Sequence, residues 1–121
     1  MSSRVKFIEH KGKKIVFLDY SGFQYKDKEE FMGVLDYAKK FIFAAGKDLL
    51  ILVDVSNSYG DNEVIGKMKQ DGKDEKHLVK KQAVVGITVF KELFLRTINL
   101  FTNIGIKPFS TLEQAKDWLV E

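Results

Sequence analysis

The chain has no cysteine, a single proline and no long hydrophobic run among its 121 residues. Without cysteine there is no disulfide framework, no cysteine nucleophile and no zinc site built on thiolates. The longest unbroken apolar runs are five residues, Phe41 to Ala45 and Leu49 to Val53, and a membrane-spanning helix needs ~20. The first residues form no apolar signal segment. We therefore expect a soluble, cytoplasmic protein without a transmembrane segment.

Arginine is also scarce, since only Arg4 and Arg96 accompany 18 lysines. Contacts to phosphates and base edges favour the planar guanidinium group, so we expect no nucleic-acid partner. The net charge of +3 lies entirely in residues 67–81, where six lysines face three acids. This segment is typical of a solvated helical face, with Lys67 and Asp71 paired at i, i+4. The alternative is a surface that meets an acidic partner or an anionic membrane.

Hydrophobic periodicity predicts nine elements within a single domain spanning residues 1–121. Gly12 marks a hairpin turn, Asp27 with Glu30 forms a capping box, and Gly46 ends the first helix. The predicted strands are residues 5–9, 14–20, 49–53, 83–87 and 106–109, and the predicted helices are residues 27–46, 63–81 (weak, two short helices or a kinked one), 90–103 and 110–119. The order β-β-α-β-α-β-α-β-α indicates an α/β fold with a mixed, mostly parallel sheet and an N-terminal antiparallel hairpin.

Several strings in the second half of the chain resemble those of a known family. Lys76-His77-Leu78 precedes Gln82-Ala83-Val84-Val85-Gly86, and the chain closes with Phe109-Ser110-Thr111-Leu112-Glu113-Gln114-Ala115-Lys116-Asp117-Trp118-Leu119. Together with the element order, these strings resemble the SpoIIAA-like branch of the STAS superfamily, the anti-sigma-factor-antagonist fold. The resemblance implies that fold.

One string of that family is missing. Sporulation-type antagonists present a phosphorylatable serine in an Asp-Ser-Ser-Gly string, whereas the corresponding junction here is Asp54-Val55-Ser56-Asn57-Ser58-Tyr59-Gly60-Asp61-Asn62-Glu63. Ser58 is the nearest candidate for phosphorylation. A phosphate there would lie near Asp61 and Glu63, which disfavours it electrostatically.

Polar residues collect where the predicted parallel strands end. Ligands of parallel sheets bind beyond the carboxyl ends of the strands, and helix N-termini at that edge favour anions. The candidates for such a ligand or anion site are Asp54, Ser56, Ser58, Tyr59, Asp61 and Thr88. The alternative is that these residues only cap helices and turns, with Asp61 and Thr88 at helix starts and Asp54 in its own turn.

The sequence offers no catalytic constellation. Neither His10 nor His77 has an evident partner to orient it as a general base. No pair of histidines has metal-ligand spacing, and the nine glycines form no phosphate-binding loop. We therefore predict a protein that is not an enzyme and needs no metal or cofactor.

Two predicted helices carry more apolar surface than one sheet face requires. Met32 and Phe43 flank the core stripe of the first helix, and Leu95 and Leu100 lie about 90 to 130 degrees from that of the third. With no catalytic constellation in the sequence, this surplus predicts a non-enzymatic binding or regulatory module that acts by protein–protein interaction through helical surfaces. We predict that these four residues contact another protein or a second copy of the chain, as in a homodimer. The alternative is a carrier of a small apolar or lipid-like ligand, in a cavity lined by Phe41, Phe43, Phe90, Phe94 and Phe101.

Overall fold

The computed structural model describes residues 3–87 and 105–121, which contain five strands and three α-helices. The strands are β1 (Val5–His10), β2 (Lys13–Asp19), β3 (Leu49–Asp54), β4 (Val79–Val85) and β5 (Lys107–Phe109). The helices are α1 (Lys28–Ala45), α2 (Asn62–Glu75) and α3 (Leu112–Leu119), and short 3-10 turns precede α1 (Tyr25–Asp27) and follow α2 (Lys76–Leu78). None of these helices is long and apolar enough to cross a membrane.

The strands form one sheet in the order β1-β2-β3-β4-β5. β1 is antiparallel to β2, and the other neighbours are parallel. The hairpin turn consists of Lys11 and Gly12, which both have positive φ (51° and 82°), as a two-residue turn matched to the strand twist requires. The predicted mixed α/β fold with an N-terminal antiparallel hairpin is confirmed.

Each face of the sheet has its own apolar core. On one face, Val16, Ile51 and Val84 pack with Phe31 and Ile42 of α1, and Val64 of α2 joins them. On the other face, Ile15, Leu52 and Ala83 pack against Ala115 and Leu119 of α3. Because β2, β3 and β4 are parallel, all three end at the same edge of the sheet, and we refer to this edge as the strand-end edge.

The predicted boundaries of the second helix and of β4 were wrong, and one predicted cap makes a different contact. Asp27 precedes α1 as predicted, but its carboxylate accepts the Gln24 N–H at 2.9 Å, which closes the 3-10 turn, instead of an N–H of α1. The second predicted helix ends at Glu75 rather than residue 81, since β4 begins at Val79 to pair with Leu49. β4 ends at Val85, where Gly86 leaves the extended region with φ 86°.

The last helix also differs in detail from its prediction. Thr111 rather than Ser110 caps it, because the Thr111 hydroxyl oxygen accepts the Gln114 N–H at 3.1 Å. Leu112 is exposed instead of buried, whereas Ala115 and Leu119 are buried as predicted. The predicted third helix, residues 90–103, lies outside the described residues.

Candidate functional site

Backbone hydrogen bonds hold two loops together at the strand-end edge. The loop after β2 and the loop after β3 continue the parallel pairing beyond the strands, with the Tyr20 N–H donating to the Asp54 carbonyl (2.8 Å) and the Gly22 N–H to the Ser56 carbonyl (2.9 Å). In the opposite direction, the Tyr59 N–H donates to the Phe23 carbonyl at 2.8 Å. The two loops therefore form one hydrogen-bonded unit, which we refer to as the platform, and are not independent of each other.

Ser58 forms the side-chain link between these loops. It is 3% exposed, its hydroxyl donates to the Tyr20 carbonyl, and its oxygen accepts the Phe23 N–H at 2.9 Å. Both hydrogen-bonding functions of the hydroxyl are thus satisfied inside the protein. Phosphorylation of Ser58 would require this part of the platform to open, so the geometry assigns the residue a structural role.

The two aspartates of the predicted site bind backbone donors. The Asp54 carboxylate accepts the Ser56 N–H at 2.9 Å, which is the turn predicted as its alternative role. Asp61 caps α2 by accepting the Val64 N–H at 2.9 Å and forms an ion pair with Lys28 at 2.8 Å. The hydrogen bonds from Lys28 and from the Val64 N–H lower the pKa of Asp61. This direction is the opposite of the raised pKa expected of a general acid at neutral pH.

Two aromatic side chains of the platform, Tyr25 and Tyr59, are exposed and lie together. Tyr59 is 46% exposed and Tyr25 is 66% exposed, and their rings stack with centroids 5.4 Å apart and planes 26° from parallel. Gln24 and Asn57 fix the loops beneath them through a 2.9 Å hydrogen bond. Tyr59 was among the predicted site residues, but Tyr25 was not. The only sequence signal for Tyr25 was an aromatic residue between Gln24 and Lys26 in a predicted loop.

The predicted interaction residues fall into different environments. Met32 of α1 is half-buried against the core. Phe43 is 45% exposed, and its ring centroid lies 6.1 Å from that of His77. Thr88, Leu95 and Leu100 lie outside the described residues, so their predicted roles remain predictions.

Charged residues join α1 to α2. Lys39 of α1 lies 2.7 Å from Asp74 and 3.5 Å from Asp71, and Lys67 of α2 lies 2.6 Å from Asp36 and 3.5 Å from Asp71. The predicted i, i+4 pair of Lys67 and Asp71 is therefore present. It faces α1 instead of solvent, because Asp71 is buried.

Glu75 at the end of α2 belongs to the same group of charges. Burial and, secondarily, the charge of Asp71 raise the pKa of Glu75 to about 8. Burial also raises the pKa of Tyr20, and the charges of Glu75 and Asp71 raise it further. Glu75 thus keeps its proton at neutral pH, beside the ion pairs that join α1 to α2.

His10 has a partner that the sequence did not reveal, because a distant part of the chain supplies it. The His10 Nε2 atom lies 2.7 Å from the Asp117 carboxylate, and the Lys11 Nζ atom lies 3.1 Å from it. Hydrogen bonds from these two side chains lower the pKa of Asp117. The pair connects the hairpin turn to α3, and its carboxylate is half exposed, which is typical of a surface ion pair. The described residues contain no group of three or more potential metal ligands.

A cavity of about 480 Å³ lies away from the predicted sites. Its lining is formed by the starts of the strands and the end of α3, namely Lys13, Asp48, Leu50, Lys80, Leu119 and Glu121. Phe41 and Phe43, predicted to line an apolar ligand cavity, are not among these residues. Phe41 instead packs against Phe7, with ring centroids 5.0 Å apart.

Comparison with known proteins identifies the fold. No protein-family model and no curated protein matches the chain significantly. Among solved structures, the chain is similar to an uncharacterized protein of the DUF3478 family with a SpoIIAA-like fold from Shewanella loihica PV-4, with a TM-score of 0.67 and 21% sequence identity over 98% of both chains. The chain therefore has a SpoIIAA-like fold, as the element order and the C-terminal strings predicted.

Proposed function

We propose that this chain is a non-enzymatic regulatory module that binds a protein partner through the stacked tyrosines of the strand-end edge. The SpoIIAA-like fold is consistent with a regulatory, STAS-type module. The proposal rests on a difference between the side chains at this edge. The side chains of Asp54, Ser58 and Asp61 bind backbone groups, whereas the rings of the two tyrosines are exposed.

The geometry of the tyrosine pair favours a protein partner. Tyrosine offers a large apolar ring with a polar tip, and it is enriched in the centres of protein interfaces. The loops that carry Tyr25 and Tyr59 are fixed by the Ser58 hydroxyl and by backbone bonds, so little ordering is needed on binding. Phe43, predicted as a contact residue, is a second exposed ring near the other end of α1.

A comparison of exposed aromatic residues tests this proposal. Wild-type protein, the Tyr25→Ser/Tyr59→Ser double variant, Phe43→Ser and Tyr37→Ser would each be used to capture proteins from a lysate of the source organism. Tyr37 is the matched control, because it is 40% exposed and lies on α1. We expect one specific protein to be retained by wild type and Tyr37→Ser and to be lost from the double variant, with direct binding confirmed by titration of the purified partner.

Two results would contradict the proposal. Equal capture by all four proteins would show that the tyrosine pair is not the contact. Native mass spectrometry of the purified chain is the second test, since a non-covalently bound apolar molecule in that spectrum would favour the ligand-carrier alternative instead.

A further inference from the structure

The outer edge of the sheet at β1 has backbone groups that pair with no described residue. Among the described strands, β1 pairs only with β2. The Asp19 N–H donates to the Arg4 carbonyl at 2.8 Å, so Arg4 and the residues alternating with it direct their backbone groups toward β2. The backbone N–H and C=O groups of Val5, Phe7 and Glu9 therefore point away from the sheet. β1 has neither the proline nor the bulge that commonly protects an edge strand.

The exposed side chains along this edge include both positive and negative charges. Lys6, Glu9 and Lys14 form no ion pair with any described residue. The Lys14 Nζ atom instead lies over the ring of Phe7, 5.2 Å from its centroid. Phe7 is 43% exposed although it belongs to a strand.

We propose that the β1 edge binds a second copy of this chain, β1 against β1, in antiparallel orientation about a twofold axis perpendicular to the sheet. Directly opposite residues of an antiparallel pair lie on the same face of the sheet. The twofold axis keeps every residue on its own face, so opposite residues must both be odd-numbered or both be even-numbered. The axis therefore passes beside a single central residue and not between two residues. Since the edge-directed groups are those of odd-numbered residues, the registers that pair at least two of Val5, Phe7 and Glu9 centre on Lys6, Phe7 or Ile8. The register centred on Lys6 would place the two Lys6 side chains directly opposite each other, and like charges in that position are destabilising.

Charge selects the register centred on Ile8. In that register, Glu9 lies opposite Phe7 of the second copy. The Lys14 Nζ atom of each copy lies over the ring of its own Phe7, so Glu9 of each copy contacts Lys14 of the other. Phe7 and Glu9 exchange backbone hydrogen bonds across the axis, and the two Ile8 side chains meet on the α3 face. The register centred on Phe7 would place Glu9 opposite the apolar Val5 of the second copy, so its cationic neighbour would be only Lys14 of its own chain, its cross-strand partner in β2.

The other edge of the sheet explains why pairing would stop at two copies. β5 has three residues, and its central residue is Pro108, which has no N–H to donate. Pairing of β1 with β1 uses the same surface of both copies and is therefore closed. The expected assembly is a dimer with a continuous ten-stranded sheet and not a fibre.

Charge reversal provides a direct test, because both side chains are exposed. Glu9→Lys alone and Lys14→Glu alone would each place like charges across the axis, and a 1:1 mixture of the two variants would restore opposite charges. We expect the wild type to dimerise in sedimentation velocity, each variant alone to weaken the dimer by at least about tenfold, and the mixture to form heterodimers in native mass spectrometry. Glu29→Lys, which makes the same change on α1, should leave the dimer intact.

Hydrogen exchange on the wild type checks the register without any substitution. The amide protons of Phe7 and Glu9 should exchange more slowly as protein concentration rises, because only the dimer gives them acceptors. A monomer at all concentrations would overturn the proposal. A dimer that survives both charge reversals while these two amides exchange rapidly would also overturn it.

Discussion

At the scale of single residues, the contact between the end of β4 and the loop after β3 requires glycine. Gly86 has φ 86°, and a Cβ atom there would lie 2.5 Å from the Ser56 backbone nitrogen, 2.6 Å from its Cα and still closer to its hydroxyl oxygen. The same loop contains Ser58 and Tyr59, so the platform of the strand-end edge depends on this close approach. A side chain at position 86 would have to displace that loop.

Substitution of Gly86 by alanine should therefore destabilise the fold by more than the strain of its positive φ alone. We expect Gly86→Ala to lower the free energy of unfolding by at least ~2 kcal/mol, since positive-φ strain of ~1 to 2 kcal/mol adds to the steric conflict. Gly12→Ala is the matched control, because Gly12 has a similar φ of 82° and a Cβ atom added there would have no neighbour within 4 Å. Urea unfolding of both variants measures the difference, and equal losses would show that Ser56 moves aside freely.

At the scale of elements, α1 and α2 are joined by a group of charges that includes one protonated acid. Lys39 and Lys67 each contact two carboxylates across or along the interface. Glu75 is close enough to feel Asp71, Asp74 and both lysines, and burial dominates the rise of its pKa from 4.5 to about 8. Ionisation of Glu75 is therefore unfavourable in the folded state.

This raised pKa predicts how stability depends on pH. Between about pH 4.5 and 8 the folded chain keeps a proton on Glu75 that the unfolded chain has released. The stabilisation is complete below the unfolded pKa and is lost as pH rises through the folded pKa, with a slope of up to ~1.4 kcal/mol per pH unit.

Replacement of Glu75 by glutamine isolates this contribution. The Glu75→Gln variant should lose less stability than wild type between pH 5 and pH 8.5, as measured by urea unfolding at both pH values. Glu29→Gln, at an exposed acid of the same pair of helices, should behave like wild type. If wild type and Glu75→Gln show parallel pH profiles, Glu75 ionises in the folded state without cost.

At the scale of the whole molecule, periodicity predicts the architecture well but says little about contacts between distant residues. The continuous apolar run of β3 was enough to place that strand, because a strand buried on both faces has such a run. The alternating start of β1 was enough to place β1, because a strand buried on one face alternates. The start of β4 was missed, since the lysine-rich sequence there has helical bias locally, whereas Val79 and Lys81 are held in the strand by pairing with Leu49 and Leu50 of β3. Tertiary pairing overrides such local propensity.

The candidate site shows the same limit. Residues after strand ends could be assigned to one edge from topology alone, and Asp54, Ser56, Ser58, Tyr59 and Asp61 do lie there. The turn role of Asp54 and the capping role of Asp61 were predicted as the alternative to a ligand site. The role of Ser58 could not be predicted, because it depends on the Tyr20 carbonyl and the Phe23 N–H, which folding brings to its hydroxyl. His10 and Asp117 are the extreme example, since 107 residues separate two atoms that lie 2.7 Å apart.

The attachment of α3 to the sheet offers a test of what holds the ends of the chain together. Leu119 is buried against the α3 face of the sheet, whereas the ion pair between Asp117 and His10 is on the surface. We expect Leu119→Ala to lower the free energy of unfolding by ~2 to 5 kcal/mol, through lost burial and the cavity it leaves. Asp117→Asn should cost far less than Leu119→Ala, because exposed ion pairs are weak and screened by solvent.

Urea unfolding compares the two losses, and hydrogen exchange of the α3 amides shows whether the helix detaches before the sheet unfolds. α3 has eight residues, too few to be stable as an isolated helix. Its amides should therefore lose protection in Leu119→Ala long before those of β3. A larger loss from Asp117→Asn than from Leu119→Ala would mean that the link between hairpin and helix, and not the apolar core, determines the stability of this half of the molecule.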